Sequence, residues 1–378
     1  LNAFLSSLIT PEPLGSEPRI LVLQLNRIGD LVLTTPALQA LRDTWPRCHI
    51  TLVVSESAEE LLPALPKVDD CLVYRRSLRA NRPVFTQLLR GRFDICLDFT
   101  GTDRSALLSV ASRAKRRVAF NSAKKGPLRA LVYQHFVQVE DFPAHELDRI
   151  FQLTRPVGVA SPSQILRPVL SVPPISRQRV GRLLKECGVL GDFALIHPGS
   201  AAQEKYWLPE RWAEVILGLQ HRLCLPCVLT GGADPFEQEH LRSIQTALAV
   251  LSTEPLPFPL VTLAGFLDLT LLTALAERAR IVVSCDTAVV HIASAFSRPQ
   301  VTLFGPTNPF HWHPRHPDSI ILAASCPEAP LEKFDPLFPA APMSQIPSAA
   351  VLSAAASVLM KTARDDQNTR PSEPSETA

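Results

Sequence analysis

The chain is 378 residues long, 46% hydrophobic and 20% charged, with a formal net charge of +2. That length exceeds what one hydrophobic core usually supports, and the composition excludes a collagenous or wholly disordered chain. No apolar run reaches the roughly 18 residues that span a bilayer, and the opening stretch LNAFLSSLITPEPLGSEP lacks the basic start of a secretory signal.

Short apolar runs alternate with helical patterns along the chain. The first strand, 20–25, stops at a polar turn holding Gly29 and Asp30, and apolar residues at Leu31, Leu33, Ala37, Leu38 and Leu41 then follow a helical spacing. Further strands are expected at 49–54, 71–74, 94–98 and 117–120, with helices at 36–45, 57–62 and 104–112. A proline-rich stretch without helical periodicity, 155–174, reads as a linker. Beyond it, strands at 193–197, 226–230, 260–263, 281–284 and 300–304 are separated by helices at 177–187, 209–221, 235–249, 268–278 and 287–296. Such alternation predicts parallel sheets covered on both faces, in two Rossmann-like series. The expected division is a flexible start (1–18), a first domain (19–170), a second domain (171–345), an alanine-rich packing helix (346–363) and a disordered tail (364–378).

Charge divides unevenly between the two series. Residues 1–178 carry 23 Lys+Arg against 16 Asp+Glu, while the remainder carries 15 against 20. The basic half, densest at RAKRR (113–117) and then Lys124, Lys125 and Arg129, suits an anionic partner, though a solvated surface would look the same. The eight cysteines show no framework, which fits reduced thiols in a cytoplasmic protein. The one close pair, Cys224 and Cys227, leads into an apolar run and reads as two core thiols.

In open parallel sheets, ligands bind beyond the carboxyl ends of the strands, so strand–turn–helix junctions are the places for chemistry. Four stand out. Asp30 follows strand one, where a carboxylate serves equally well as a helix cap. In ALIHPGSAAQEKYWLPERW (194–212), small residues after His197 let backbone and the Ser200 hydroxyl approach a phosphate, and Lys205 supplies a point charge. VLTGGADPFEQEH (228–240) carries the pair Gly231 and Gly232, a weak signal by itself. At 280–314, a strand leads into Asp286, Thr287 and Ala288 at a helix start that also carries His291, an anion site in which Asp286 caps the helix or accepts a sugar hydroxyl. His311, His313 and His316 invite a metal, but no cysteine or carboxylate completes the set, and no metal is expected. Dinucleotide-binding, Walker A and nucleophile-elbow signatures are missing.

Taken in order, ILVLQLNRIGDLVLTTPALQALR, FDICLDFTGTDRSALL, HELDR (145–149), LIHPGSAAQEKYWLPERWAEV, LTGGADPFE, LAGFLDLTLLTALAERARIVVSCDTAVVHIASAF and VTLFGPTNP resemble glycosyltransferase family 9, the heptosyltransferases of lipopolysaccharide core assembly. The resemblance implies an α/β chain of GT-B fold, two Rossmann-like domains facing across a cleft. It also implies an inverting transfer from ADP-heptose, with no cofactor required. Asp30 matches the proposed general base. Lys205, Ser200 and the helix start at 287–288 would stabilise the departing ADP, with Gly199, Gly231, Gly232, Asp286, Thr287, Ala288 and His291 around the donor and Gly265 near the adenine. Arg27, Gly29, Arg104, Arg116 and Lys124 are the expected contacts to an anionic lipopolysaccharide core acceptor. No nucleic-acid partner is expected, and the reading leaves room for a peripheral contact with the cytoplasmic face of the inner membrane.

Two departures stand against the family pattern. Its Asp-Thr-Gly reads Asp-Thr-Ala here, so Ala288 adds a methyl group at the phosphate. Its C-terminal cysteines before a Cys-Met segment are reduced to Cys326, with Ala341, Pro342 and Met343 where Cys-Met is expected. Competing readings are a catalytically silent nucleotide-sugar-binding protein and a sugar-nucleotide epimerase.

Overall fold

A computed structural model describes residues 14–138 and 144–368; residues 1–13 of the expected flexible start and 369–378 of the expected tail lie outside the described residues. The chain divides into two compact units, Leu1–Ser171 and Val172–Ala378. Each holds one parallel six-stranded sheet, and the expected α/β class with two Rossmann-like sheets is what the structure contains.

In the first unit the strands are β1 (Arg19–Gln24), β2 (His49–Ser55), β3 (Asp70–Tyr74), β4 (Ile95–Asp98), β5 (Arg116–Phe120) and β6 (His135–Val137), in spatial order β3-β2-β1-β4-β5-β6. Ile20, Leu21, Val22 and Leu23 are all fully buried, which is why β1 reads as an unbroken apolar run rather than an alternating one. The order reverses between β1 and β4, where Ile20 pairs with Ile95 and Leu23 with Asp98. This reversal opens a crevice at the carboxyl edge of the sheet.

Helix α1 (Ile28–Thr44) starts earlier than the 36–45 stretch expected and runs straight through Pro36. Proline cannot donate to the carbonyl four residues back, here that of Val32. The Thr35 hydroxyl donates to that oxygen at 2.6 Å instead, so the helix continues without an orphaned acceptor. Helices α2 (Arg82–Arg90) and α3 (Asp103–Ala111) pack side by side, burying Val84, Leu88 and Leu108 in one apolar cluster with Leu21, Leu23 and Phe93. The expected helix at 57–62 is a 3-10 helix, Glu56–Ala64, which Pro63 fits less disruptively than it would an α-helix. A short helix, α4 (Glu146–Phe151), packs on α1.

The second unit repeats the plan with β7 (Ala194–His197), β8 (Cys227–Leu229), β9 (Val261–Thr262), β10 (Ile281–Cys285), β11 (Gln300–Phe304) and β12 (Ser319–Ala323), ordered β12-β11-β10-β7-β8-β9. The reversal now falls between β7 and β10. Helices α5 (Pro174–Glu186), α6 (Pro209–Leu223), α7 (Pro235–Leu251), α8 (Leu269–Arg278) and α9 (Ala288–Ala295) connect or flank the strands. The last helix, α10 (Ser348–Asn368), extends into the stretch expected to be disordered and buries Val351, Ala354, Ala355 and Val358 in the core of this unit. Small residues let it sit close to α6: a Cβ on Gly218 would fall 2.4 Å from Leu352.

The segment before α10 also has a structural role. Trp207 Nε1 donates to the Ile346 carbonyl at 3.0 Å, Arg211 donates to the Ser344 carbonyl at 2.5 Å, and Met343 fills the space that a side chain on Gly305 would need. Ala341-Pro342-Met343 is thus part of how this unit packs. Cys227 is buried in β8, and its thiol is pushed up to about 12 by desolvation, as expected of a core thiol; Cys224, by contrast, is exposed in a left-handed turn closing α6.

Candidate active site

Asp30 occupies the third position of α1, one residue past Gly29, and Arg27 rather than Asp30 stands at the N-cap position, with no side-chain cap of its own. The Asp30 carboxylate instead accepts the backbone N–H of Arg27 at 3.2 Å. This is the helix-side half of a capping box, and it fixes the carboxylate at the carboxyl edge of β1. Burial is the main cause that raises its pKa from 3.8 to about 6, and the like charge of Glu146 adds to it; the Arg27 N–H, Arg149 and Arg27 pull the other way.

Glu146 and Arg149 reach this spot because α4 packs on α1. Glu146 is buried, and Arg149 grips both of its carboxylate oxygens, with Nε at 2.6 Å from Oε2. The Arg149 guanidinium lies 4.4 Å above the Phe120 ring at the end of β5. His145 caps α4 through Nδ1, which accepts the Leu147 N–H at 3.1 Å. The HELDR stretch therefore carries an ion pair beside Asp30. Its residues drew no role from the sequence because nothing local links positions 146 and 30.

The turn after β4 is built around Asp98, which is fully buried. Its carboxylate accepts the backbone N–H groups of Thr100 and Gly101 at 2.8 and 3.0 Å and the Tyr133 hydroxyl. Gly101 sits in the left-handed region at φ +68°, and Arg129 donates to its carbonyl at 2.6 Å. Thr100 Oγ1 in turn accepts the Leu25 N–H at 2.8 Å, tying this turn to the exit of β1 and so to the Asp30 loop.

Arg27, Gly29 and Asp30 after β1, Arg104 in the first turn of α3, and Lys124 after β5 all follow carboxyl ends of adjacent strands. Lys124 lies 4.6 Å over the Phe136 ring. Arg116 does not join them. It begins β5, level with Ile95 and hence with Ile20, at the amino edge of the sheet. The density of basic residues at 113–117 predicted a shared surface, but a strand carries its first residue to the opposite edge from its last.

In the second unit, Lys205 ends a 3-10 turn (Gln203–Lys205) after β7. Its Nζ lies 2.6 Å from Asp286 Oδ2 and 3.3 Å from the Asp286 carbonyl oxygen. Asp286 is therefore engaged by Lys205 and does not cap α9; Thr287 takes the cap position, and no side chain caps the helix's first N–H groups. Ala288 opens the helix and is not among the residues with positive φ, so its methyl group costs no backbone strain. His291, one turn on, is buried, and burial lowers its pKa to about 4, leaving it neutral near pH 7.

Glu237, in the first turn of α7, is the residue at this edge of the sheet that the sequence least revealed. Its carboxylate sits among Gly199, Gly231 and Gly232: a Cβ on them would fall 1.8, 3.0 and 2.9 Å from its oxygens. His197 approaches it at 3.9 Å through Nε2 while Nδ1 shares a 3.0 Å hydrogen bond with Thr230 Oγ1. Burial lowers the His197 pKa to about 4 and raises that of Glu237. Gly265, left-handed at φ +77°, donates to the Gly231 carbonyl at 2.9 Å and links the turns after β8 and β9. Gly199, Ser200, Lys205, Gly231, Gly232, Gly265, Asp286, Thr287, Ala288 and His291 thus gather at one edge of one sheet. Such an arrangement of glycine turns, a lysine and an uncapped helix start can hold a phosphorylated ligand. His313 stacks on Phe334 at 3.8 Å, and no group of three or more His, Cys, Asp or Glu suited to a metal occurs among the described residues.

The chain is similar to lipopolysaccharide heptosyltransferase 3 of Escherichia coli, at 24% identity over 294 residues, 76% of this chain and 83% of that protein. Among solved structures it is similar to a glycosyl transferase family 9 protein from Veillonella parvula, with a TM-score of 0.76 at 22% identity, covering 93% of this chain and all of that one. It also resembles the E. coli ADP-heptose LPS heptosyltransferase II, with a TM-score of 0.73 at 20% identity, covering 91% of this chain and 99% of that one. The model of glycosyltransferase family 9 (heptosyltransferase) matches residues 82–337, and the chain belongs to that family of glycosyltransferases.

Proposed function

We propose that this chain transfers a heptose from ADP-heptose to an anionic acceptor of the lipopolysaccharide core, on the cytoplasmic side of the membrane. The first unit takes the acceptor and the second takes the donor. Asp30 removes the proton from an acceptor hydroxyl as its oxygen attacks the anomeric carbon. The bond from that carbon to the diphosphate breaks, and ADP leaves with the electron pair. Lys205, the Ser200 hydroxyl and the first N–H groups of α9 stabilise the growing negative charge. Asp286, Thr287, Ala288 and His291 hold the donor beside them, Gly199, Gly231 and Gly232 line the donor side with room for the Glu237 carboxylate among them, and Gly265 lies near the adenine. Arg27, Gly29, Arg104 and Lys124 meet the acceptor. The mechanism calls for no metal or other cofactor.

The observation that carries this reading is Asp30 itself, a carboxylate whose pKa is raised to about 6 at the carboxyl edge of β1. A base with that pKa is ionised near neutrality yet still accepts a proton, a balance that general-base catalysis favours. The reading also draws on the similar E. coli protein, an ADP-heptose LPS heptosyltransferase.

The test is ADP release from ADP-heptose, with and without a deacylated lipopolysaccharide core acceptor, for the wild type and Asp30→Asn. Acceptor-dependent release that falls at least about 100-fold in the variant is the expected result. Release that ignores the acceptor, or a variant as fast as wild type, would overturn the assignment.

A further inference from the structure

The helices α2 and α3 bury one side in the first unit and leave large apolar side chains on the other. Leu89 on α2 is 54% exposed, and Leu107 and Val110 on α3 are 51% and 50% exposed. Arg104, Leu107 and Val110 are successive members of one ridge of α3, each a neighbour of the next at three-residue spacing. Both helices run from the carboxyl edge of the parallel sheet to its amino edge, so the last turn of α2 and the last turn of α3 lie at the same edge.

Arginines flank these apolar residues along the two helices and at their ends. Arg82, Arg90, Arg92, Arg104 and Arg113 are exposed, and among the described residues none of their side chains forms a hydrogen bond or an ion pair. The nearby acids are engaged elsewhere: Asp94 holds Lys115 at 2.8 Å, and Asp103 holds Arg129 at 3.1 Å. The chain also accepts a conformational cost to keep two of these arginines. Arg92 and Arg113 each follow the end of their helix in the left-handed region, at φ 49° and 52°. Glycine is the favoured residue at such helix ends because it alone has no Cβ to clash there. Arginine at both ends places positive charge where local structure would favour glycine.

We propose that this face of α2 and α3 seats the enzyme on a bilayer that carries anionic lipid. Apolar side chains flanked by arginine suit the boundary between headgroups and acyl chains, where the apolar atoms leave water and the guanidinium groups meet phosphate. The unpaired arginines select a negatively charged surface over a neutral one. No helix among the described residues is long and apolar enough to cross a membrane, and this surface offers attachment without crossing. Arg104 lies in the first turn of α3, at the edge where Asp30 lies, so the same helix links the seat to the acceptor side of the sheet. The inference rests on the reading of a lipid-borne acceptor given above.

The experiment is sedimentation of the full chain with vesicles of phosphatidylcholine alone or mixed with phosphatidylglycerol. It uses neither donor nor acceptor, so its failure is distinct from failure of the transferase assignment. Wild type is expected to sediment with the anionic vesicles alone and to be released by salt. The double variant Arg92→Gly/Arg113→Gly is expected to lower partitioning at least about tenfold, since each arginine near such a surface contributes roughly fivefold. Its unfolding temperature should be unchanged or higher, because glycine relieves the left-handed positions; reduced binding is then not misfolding. Leu107→Glu/Val110→Glu should abolish sedimentation while leaving ADP release with a deacylated acceptor intact. Equal sedimentation with both vesicle types, binding that survives both double variants, or a wild-type dimer that Leu107→Glu/Val110→Glu converts to monomer would overturn the proposal.

Discussion

Lys205 and Asp286 form an ion pair at 2.6 Å, with side chains only 18% and 8% exposed. Removing one partner of such a pair leaves the other desolvated and uncompensated, which costs about 3 kcal/mol. Lys205→Ala should therefore lower the unfolding temperature as well as weaken ADP binding. Lys205→Arg keeps the charge but replaces a compact ammonium with a planar fork, so it should recover stability more fully than turnover. Calorimetric titration with ADP beside thermal denaturation separates the two effects. An alanine variant that binds ADP as wild type does would remove Lys205 from the donor site.

The raised pKa of Asp30 gives a pH dependence with a definite sign. The carboxyl is protonated below about 6 and ionised above it. As a base it works only when ionised, so kcat/KM should rise with pH through about 6 and level off above. Glu146→Gln removes a like charge and should move that rising limb to lower pH. Stability runs the opposite way. Because the folded state holds this proton more tightly than the unfolded chain, Asp30 favours folding at low pH, and that contribution is lost as pH rises from 3.8 through about 6. Asp30→Asn should accordingly be more stable than wild type at pH 8, by about 1–3 kcal/mol, with the gap closing toward pH 4. Denaturation curves at the two pH values would settle it, and a gap that widens on acidification would contradict the assigned pKa.

The architecture was legible because strands buried on both faces must be apolar throughout, as Ile20–Leu23 and Ile281–Val283 are. The strands missed were β6 and β12, each at an edge of its sheet. His135–Val137 is only half buried along its length, so it lacks the apolar run that marks an inner strand. Candidate residues in the turns that follow strands, such as Asp30 and Lys205, could be placed at the carboxyl edge for the same topological reason. Glu146 and Glu237 were not, because α4 packing on α1 and the glycine turns around Glu237 are events of tertiary structure. Arg116 was misplaced for a related reason: charge density along a chain does not say which edge of a sheet receives it.

Gly199 tests whether Glu237 matters. A methyl group there would lie 1.8 Å from Glu237 Oε1 and 2.3 Å from Cδ, so the carboxylate must swing away in Gly199→Ala. Glu237 is the far end of a flexible side chain, so the fold should survive with a small drop in unfolding temperature. Nucleotide affinity should fall at least about tenfold, comparable to losing one hydrogen bond to a charged group. Glu237→Gln should reproduce much of that loss without the steric change. If titration finds both variants binding ADP normally, Glu237 serves packing and not the donor.

Asp98 offers a test of positioning from a distance. Tyr133, Thr100 and Gly101 all donate to its buried carboxylate, and Thr100 carries the connection on to Leu25 in the loop before Asp30. Tyr133→Phe deletes one donor to a buried carboxyl group without changing volume much, which should cost about 2 kcal/mol in urea denaturation. The remaining backbone donors still hold the turn, so the variant should fold and bind ADP as wild type does. Its turnover should nevertheless fall, because a base displaced even slightly from the acceptor hydroxyl loses efficiency steeply. Asp98→Asn keeps an acceptor for the Thr100 and Gly101 N–H groups, both of which bond Oδ1, but sets an amide donor against the Tyr133 hydroxyl at Oδ2, so it should lower stability and turnover as well. A kcat that drops while KM for ADP-heptose stays level is the signature of a positioning role. A Tyr133→Phe enzyme that loses stability but keeps full kcat would show that the β4 turn supports the fold alone.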